Sequence, residues 1–181
     1  DLKEALTWYQ LALTIREKVL GRINPDYATS LFGFGLTLSK MGNYSEAEPI
    51  LLEAKQIIEK SVGKEYKYYT AFLDNLGIAN MEIRKYDVAE RYYLESLEIR
   101  EKQNGKLTVQ YGGNLINLAK LYYNMAYYEK AEPLLIEAIQ IFKEDLKNIN
   151  HPFYSNALIM LSLLYSQLGQ FNKSELLFLE N

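Results

Sequence analysis

A sequence unit that returns about every 42 residues constrains this chain more than any other feature. The columns of the repeat are a small motif residue (Ala5, Ala47, Ala89, Ala131, Ser174), an aromatic residue three positions earlier (Tyr44, Tyr86, Tyr128, Phe171) and a small residue twelve positions earlier (Gly35, Gly77, Ala119, Ser162). An internal period of this length predicts copies of one supersecondary unit, which stack because a single copy cannot bury its apolar face.

Each copy predicts two helices, A and B, joined by a tight turn. In the third copy, apolar residues fall at helical spacing at Leu115, Leu118 and Leu121, and again at Leu135 and Ile141. We expect the A–B turns at Met41–Tyr44, Ile83–Tyr86, Met125–Tyr128 and Leu168–Phe171. The fold class predicted is therefore all-α, a right-handed α-solenoid of antiparallel helix pairs.

Start and stop signals support these helices. Gly21, Gly63 and Gly105 recur where a left-handed residue would end helix B. Asn24-Pro25 and His151-Pro152 each have a proline suited to the first position of helix A. We expect capping boxes to open helix B at Ser45 with Glu48, Asp87 with Glu90, and Asn172 with Glu175.

The expected organisation is one repeat array. Residues 1–21 form helix B of a truncated repeat; residues 24–63, 66–105 and 108–147 form full repeats; residues 151–181 form a repeat that stops early. Both ends therefore suggest a piece of a longer array, and self-association through the truncated terminal repeats is left open.

Composition argues against several function classes. The chain has no cysteine and one histidine, His151, so a catalytic triad, a metal site or a bound cofactor is not expected. A net charge of -3 disfavours nucleic acid as a partner. No apolar run is long enough for a membrane span and no signal peptide starts the sequence, so we expect a cytoplasmic protein without a membrane partner.

The columns resemble the signature of the tetratricopeptide repeat (TPR), which is met in the third copy by Leu118, Ala119, Tyr128, Ala131, Leu135 and Ala138. The 42-residue period and the phrases NPDYATSL and YEKAEPLL are similar to the kinesin-light-chain type of TPR. The resemblance implies a non-catalytic scaffold that binds a peptide or partner helix in a concave groove lined by the A helices. The alternative that it implies is a regulatory or sensor segment of a larger protein, for example one with a caspase-like CHAT protease domain.

By offset from the small residue, sixteen positions on the A helices are expected to face that groove. This groove set is Phe32, Leu36, Lys40, Asp74, Asn75, Ile78, Ile116, Asn117, Lys120, Tyr123, Asn124, Asn156, Ile159, Met160, Leu163 and Gln167. Asn75 and Asn117 have amides that can bond a peptide backbone or a neighbouring helix, and both interpretations stay open. The apolar members likewise form either an interaction patch or packing between repeats.

Three further features have structural interpretations. The acids Glu48, Glu90, Glu132 and Glu175 recur once per repeat, which favours capping over catalysis. Gly112-Gly113 inside a predicted helix favours close packing, with local flexibility as the alternative. The numerous tyrosines lie at or beside apolar columns, which favours packing over the stacking of nucleic-acid bases.

Overall fold

The computed structural model describes residues 1–145 and 152–180, and in this part of the chain every regular element is an α-helix. The helices are α1 (Leu2–Leu20), α2 (Pro25–Lys40), α3 (Tyr44–Ser61), α4 (Tyr69–Glu82), α5 (Tyr86–Asn104), α6 (Val109–Asn124), α7 (Tyr128–Asp145), α8 (Pro152–Gln167) and α9 (Phe171–Glu180). The expected all-α fold of paired A and B helices is confirmed. His151, predicted to help open α8, lies outside the described residues.

The chain divides into two compact units, Asp1–Tyr92 and Tyr93–Asn181, with the boundary inside α5. In unit 1, α1 packs on α2, α2 on α3 and α3 on α4, and the A helices α2 and α4 also touch. In unit 2 the same order holds for α6, α7, α8 and α9, and the A helices α6 and α8 touch. Each unit is thus built from successive helical hairpins.

The repeat columns form the core. In unit 1, Leu38, Ala47, Leu51, Leu76 and Ala79 make one buried cluster from α2, α3 and α4. A methyl group added to Gly35 would lie 2.9 Å from Cγ of Leu51, closer than packed carbon atoms approach. The predicted role of the small column at this position, close approach of helices A and B, is confirmed.

Two other glycines meet aromatic rings. The ring of Tyr9 on α1 occupies the space that a Cβ at Gly33 would need. A methyl at Gly112 would lie 2.8 Å from Cζ of the fully buried Phe142, whereas one at Gly113 would lie 3.9 Å from the ring of Phe153. The packing interpretation is therefore confirmed for Gly112.

The A–B turns share one hydrogen-bonded geometry. Their left-handed residues are Gly42, Arg84, Ala126 and Gly169, with φ of 82°, 62°, 60° and 72°. In each turn the next N–H donates to the carbonyl five residues earlier, as from Asn43 to Leu38 at 3.0 Å and from Gln170 to Tyr165 at 2.9 Å. This pattern is the Schellman motif, which satisfies the last carbonyl groups of helix A.

The predicted capping boxes are wrong because helix B starts two residues earlier than expected. Asn43 is the N-cap of α3 and makes no side-chain capping bond, so Ser45 is already the second helical residue. Asp87 and Asn172 likewise follow the first residue of α5 and α9. Asn43 closes the Schellman turn with its N–H and directly precedes helix B. It therefore occupies the N-cap position itself, and Ser45 lies inside the helix.

Other predicted helix ends are confirmed in part. Gly21, Gly63 and Gly105 have positive φ, from 75° to 82°, at the ends of α1, α3 and α5, but Gly21 has ψ of 168° and so is not in the left-handed helical region. Asn24 caps α2 by accepting a hydrogen bond of 2.8 Å from the N–H of Asp26, and Pro25 holds the first helical position.

Candidate peptide-binding surface

In unit 1, much of the groove set is engaged in internal packing. The ring centres of Phe32 and Phe72 lie 4.4 Å apart, and Phe32 also packs against the core cluster. Leu36 and Ile78 are half-buried, while Lys40 is exposed. This half of the set therefore offers a ligand less apolar surface than its composition indicates.

The two amides of the set differ in their bonding. Asn75 donates from Nδ2 to the carbonyl of Ala71, 2.8 Å away and one turn earlier on α4. That bond occupies one of the two N–H donors of the Asn75 amide, and the neighbouring Asp74 is half-buried. Asn117 on α6 is half-buried too, and its side chain has no hydrogen-bond partner in the part of the chain that the structure describes.

The rest of α6 splits between core and surface. Ile116 is only 4% exposed, so its side chain packs inside unit 2 and offers a ligand no surface. Tyr123 is half-buried with its ring 5.5 Å from that of Tyr128. Lys120 and Asn124 are exposed.

The groove set is most accessible on α8. Ile159 is 38% exposed and Leu163 is 45% exposed, one helical turn apart. Asn156 and Gln167 are exposed at the two ends of the same face, and Met160 is half-buried beside it. An aliphatic pair between polar ends is a surface on which an apolar side chain of a ligand could be buried.

Two of the recurring acids, Glu48 and Glu132, contact a neighbouring repeat rather than capping a helix, which corrects their predicted role. Glu48 on α3 lies 3.6 Å from Nζ of Lys85, in the turn after α4. Glu132 on α7 accepts a hydrogen bond of 2.7 Å from the hydroxyl of Tyr165 on α8. Burial, this hydrogen bond and the charge of the carboxylate raise the pKa of Tyr165 to about 12.

A second polar network ties α3 to α4 in unit 1. The carboxylate of Glu59 accepts a hydrogen bond of 2.5 Å from the hydroxyl of Tyr69 and lies 2.9 Å from Nζ of Lys55. Burial by itself would raise the pKa of Glu59. The bonds from Tyr69 and Lys55 and the charge of Lys64 outweigh burial, so the pKa lies below its ordinary value.

A pair of lysines in the first turns of two B helices forms a feature that was not predicted from the sequence. Nζ of Lys130 lies 5.1 Å from the ring centres of both Tyr122 and Tyr127. Nζ of Lys173, the equivalent residue one repeat later, lies 4.8 Å from the ring of Tyr165. The available signal was the coincidence of a tyrosine column and a lysine column in the last two repeats.

The described residues offer neither a metal site nor a membrane span. No group of three or more histidine, cysteine, aspartate or glutamate side chains in residues 1–145 and 152–180 could hold a metal ion. Within the same residues, no helix combines the length and apolarity needed to cross a bilayer.

Comparison with known families decides the classification. A family model described as tetratricopeptide repeat matches residues 1–60, 35–102, 68–144 and 111–180. The chain belongs to the TPR family. TPR repeats commonly mediate contacts between proteins, and TPR proteins are generally non-catalytic scaffolds. No curated protein sequence matches this TPR chain closely enough to indicate a relative.

Solved structures with the same fold include several TPR proteins. BtubC (BKLC) from P. vanneervenii aligns with a TM-score of 0.85 and 24% identity, over 98% of this chain and 70% of that one. A kinesin-light-chain protein from Podosopora anserina with nearly identical TPR-like repeats aligns with a TM-score of 0.81 and 20% identity, over 99% and 84%. The apo form of RapI aligns with a TM-score of 0.80 and 21% identity, over 98% of this chain and 62% of that chain. At these identities the likeness establishes the fold alone.

Proposed function

We propose that this TPR chain is a protein-interaction scaffold that binds a peptide or partner helix on the A-helix face of unit 2. The observation that carries the proposal is the exposure of Ile159 and Leu163 on α8. The packing partner α6 carries the exposed Lys120 and Asn124 on the same groove set. On this proposal the chain performs no chemistry and acts by holding a ligand in place.

The energetics favour an apolar contact with polar edges. Complete burial of a fully exposed leucine or isoleucine side chain contributes about 1.5–3 kcal/mol. Ile159 and Leu163 are 38% and 45% exposed, so each would contribute a part of that energy. Asn117 adds an amide that can both donate to and accept from a peptide backbone. In unit 1 the equivalent positions hold Gly33, which has no side chain, and Asn75, which already donates one of its two N–H groups to Ala71. The proposal therefore favours unit 2.

Peptide display against the wild-type chain, followed by titration of the selected peptides, tests the proposal. Leu163→Glu places a charge where an apolar contact is expected and should weaken binding about tenfold or more. Asn117→Ala should weaken it by a smaller factor, through the loss of about one hydrogen bond. Leu107→Glu is the matched control, because Leu107 is 63% exposed and lies outside the groove set.

Equal affinities for the wild type, Leu163→Glu and Asn117→Ala would contradict the proposal. A loss shared by Leu107→Glu would indicate a general effect of the added charge. Self-association through the terminal repeats stays a prediction, and Trp8 and Ile15, which are 62% and 52% exposed on α1, mark one surface for it. The regulatory alternative would use the same face of unit 2 and also stays a prediction.

A further inference from the structure

A pocket of about 300 Å³ opens at the turn edge of unit 2, where the A–B turns of its two repeats lie. Its lining is Ala126, Tyr127, Tyr128, Glu129, Lys130 and Leu168. Tyr127 is 49% exposed and Leu168 is 40% exposed, so both already present apolar surface to solvent. These residues belong to the turns and the start of α7, and none of them is in the groove set. The pocket has room for one aliphatic side chain.

Lys130 gives this apolar pocket a positive charge. Its ammonium group lies against the rings of Tyr122 and Tyr127 and pairs with no carboxylate among the described residues. Contact with ring faces holds a lysine in one place without neutralising it. The charge remains available to an acid of a ligand.

The arrangement recurs at the next turn. Gly169–Lys173 border a second pocket of about 300 Å³, and Lys173 lies against Tyr165 without a carboxylate partner in the described part of the chain. In the repeats of unit 1 the lysine column holds Glu46 and Val88. At this repeat position, a lysine against a tyrosine ring therefore occurs in the two turns that border the pockets and not in the repeats of unit 1.

We propose that the turn edge of unit 2 is a second docking site, which binds an extended peptide by an aliphatic side chain in the Tyr127–Leu168 pocket and by flanking carboxylates at Lys130 and Lys173. The two cations border successive pockets, so acids on both sides of the aliphatic residue would match them. Among the residues that line the two pockets, a basic peptide would meet two like charges and one acid, Glu129. Charge complementarity thus selects an acidic occupant.

Glu129 is the one acid in the first pocket, and it makes the proposal testable by charge. Its carboxylate would repel the flanking acids of the peptide. Glu129→Gln should therefore tighten binding, whereas Lys130→Met and Lys173→Met should each weaken it. For exposed pairs each change should be about twofold to fivefold.

The probe is a fluorescein-labelled peptide with one leucine between two pairs of aspartates, titrated by anisotropy at low salt. Comparison peptides replace the leucine with serine or the aspartates with lysines. We expect the serine peptide and the lysine peptide to bind more weakly than the probe. Leu168→Ser should reduce affinity for the probe and reduce the difference between the leucine and serine peptides.

Lys143→Met is the matched control, because Lys143 also lies against a tyrosine ring, that of Tyr154 at 5.7 Å, but outside the pockets. Thermal melts of all variants identify any that fail to fold. Amide NMR shifts should locate the probe at residues 126–130 and 168–173, and Leu163→Glu should leave its affinity unchanged. Equal weakening by Lys143→Met, shifts confined to α6 and α8, or no saturable binding would overturn the proposal. Failure of the probe to bind at the turn edge would leave the proposed function standing, because that proposal uses the A-helix face of α6 and α8.

Discussion

Gly112 and Gly113 show how far neighbouring identical residues can differ in their structural role. From the sequence, both glycines lower the helix propensity of α6 in the same way, and close packing is predicted for the pair. In the structure, a Cβ added to Gly112 would overlap the ring of the buried Phe142, whereas one added to Gly113 would meet a ring at ordinary contact distance. Periodicity could not distinguish the two, because a glycine has no side chain that marks it as apolar or polar.

Gly112→Ala should destabilise the protein by about 1–2 kcal/mol, because overpacking against Phe142 outweighs the gain in helix propensity. Gly113→Ala is the matched variant and should stabilise it by about 0.5–1 kcal/mol, since its methyl would meet Phe153 at ordinary contact distance. Urea unfolding of both variants checks the pair. A Gly112→Ala variant at least as stable as the wild type would show that Phe142 moves aside without cost.

At the scale of the helical hairpin, the turn decides where helix B begins. The turn positions themselves are predictable, because Gly42 and Gly169 mark the left-handed residue in two copies. Arg84 and Ala126 take the same conformation without glycine, since the Schellman bonds of each turn are kept. The capping-box prediction failed at this scale: the spacing of Ser45 and Glu48 met the rule, but the turn geometry placed Asn43 at the cap.

Arg84→Gly and Ala126→Gly should therefore stabilise the protein, each by roughly 0.5–1 kcal/mol. Glycine removes a left-handed strain of about 1–2 kcal/mol and adds a smaller cost in the entropy of the unfolded chain. Gly42→Ala is the reverse change and should destabilise the protein by a similar amount. Thermal and urea unfolding measure all three. A loss of stability in both glycine variants would mean that the arginine and alanine side chains contribute more than the strain costs.

Across the whole chain, the repeat columns predicted the fold well and the polar bonds between repeats poorly. The period of 42 residues and the motif alanines were enough to place the helices and the core cluster. The groove set rests only on sequence offsets from the small residue of each repeat. Such offsets do not show that Ile116 is buried or that Asn75 bonds to its own helix. Such bonds depend on the rotamer and the neighbours of each side chain, and the residue types in a repeat column specify neither.

One bond between repeats, from Tyr165 to Glu132, predicts a pH dependence of unfolding. The pKa of Tyr165 is about 12 in the folded chain and about 10 when unfolded, so its contribution is complete below pH ~10 and is lost as the pH rises to ~12.

Tyr165→Phe should be less stable than the wild type at neutral pH. This difference in the free energy of unfolding should narrow above pH ~10, because the phenol then ionises in the unfolded wild type and favours unfolding. Denaturant unfolding of both proteins at a series of pH values measures the difference. A difference that stays constant through the alkaline range would show that Tyr165 ionises as an ordinary phenol.

The contact between Tyr9 and Gly33 limits how this array can be recombined. The ring from α1 fills the volume in which α4 and α6 carry the side chains of Asn75 and Asn117. A duplication or exchange that moved α2 without α1 would leave a void, and one that placed α4 after α1 would bring an asparagine against the tyrosine. The helical hairpin is the repeating unit of the sequence. Around α2, however, the smallest segment that could be moved without disturbing this packing is larger than one hairpin, because it includes the preceding B helix α1.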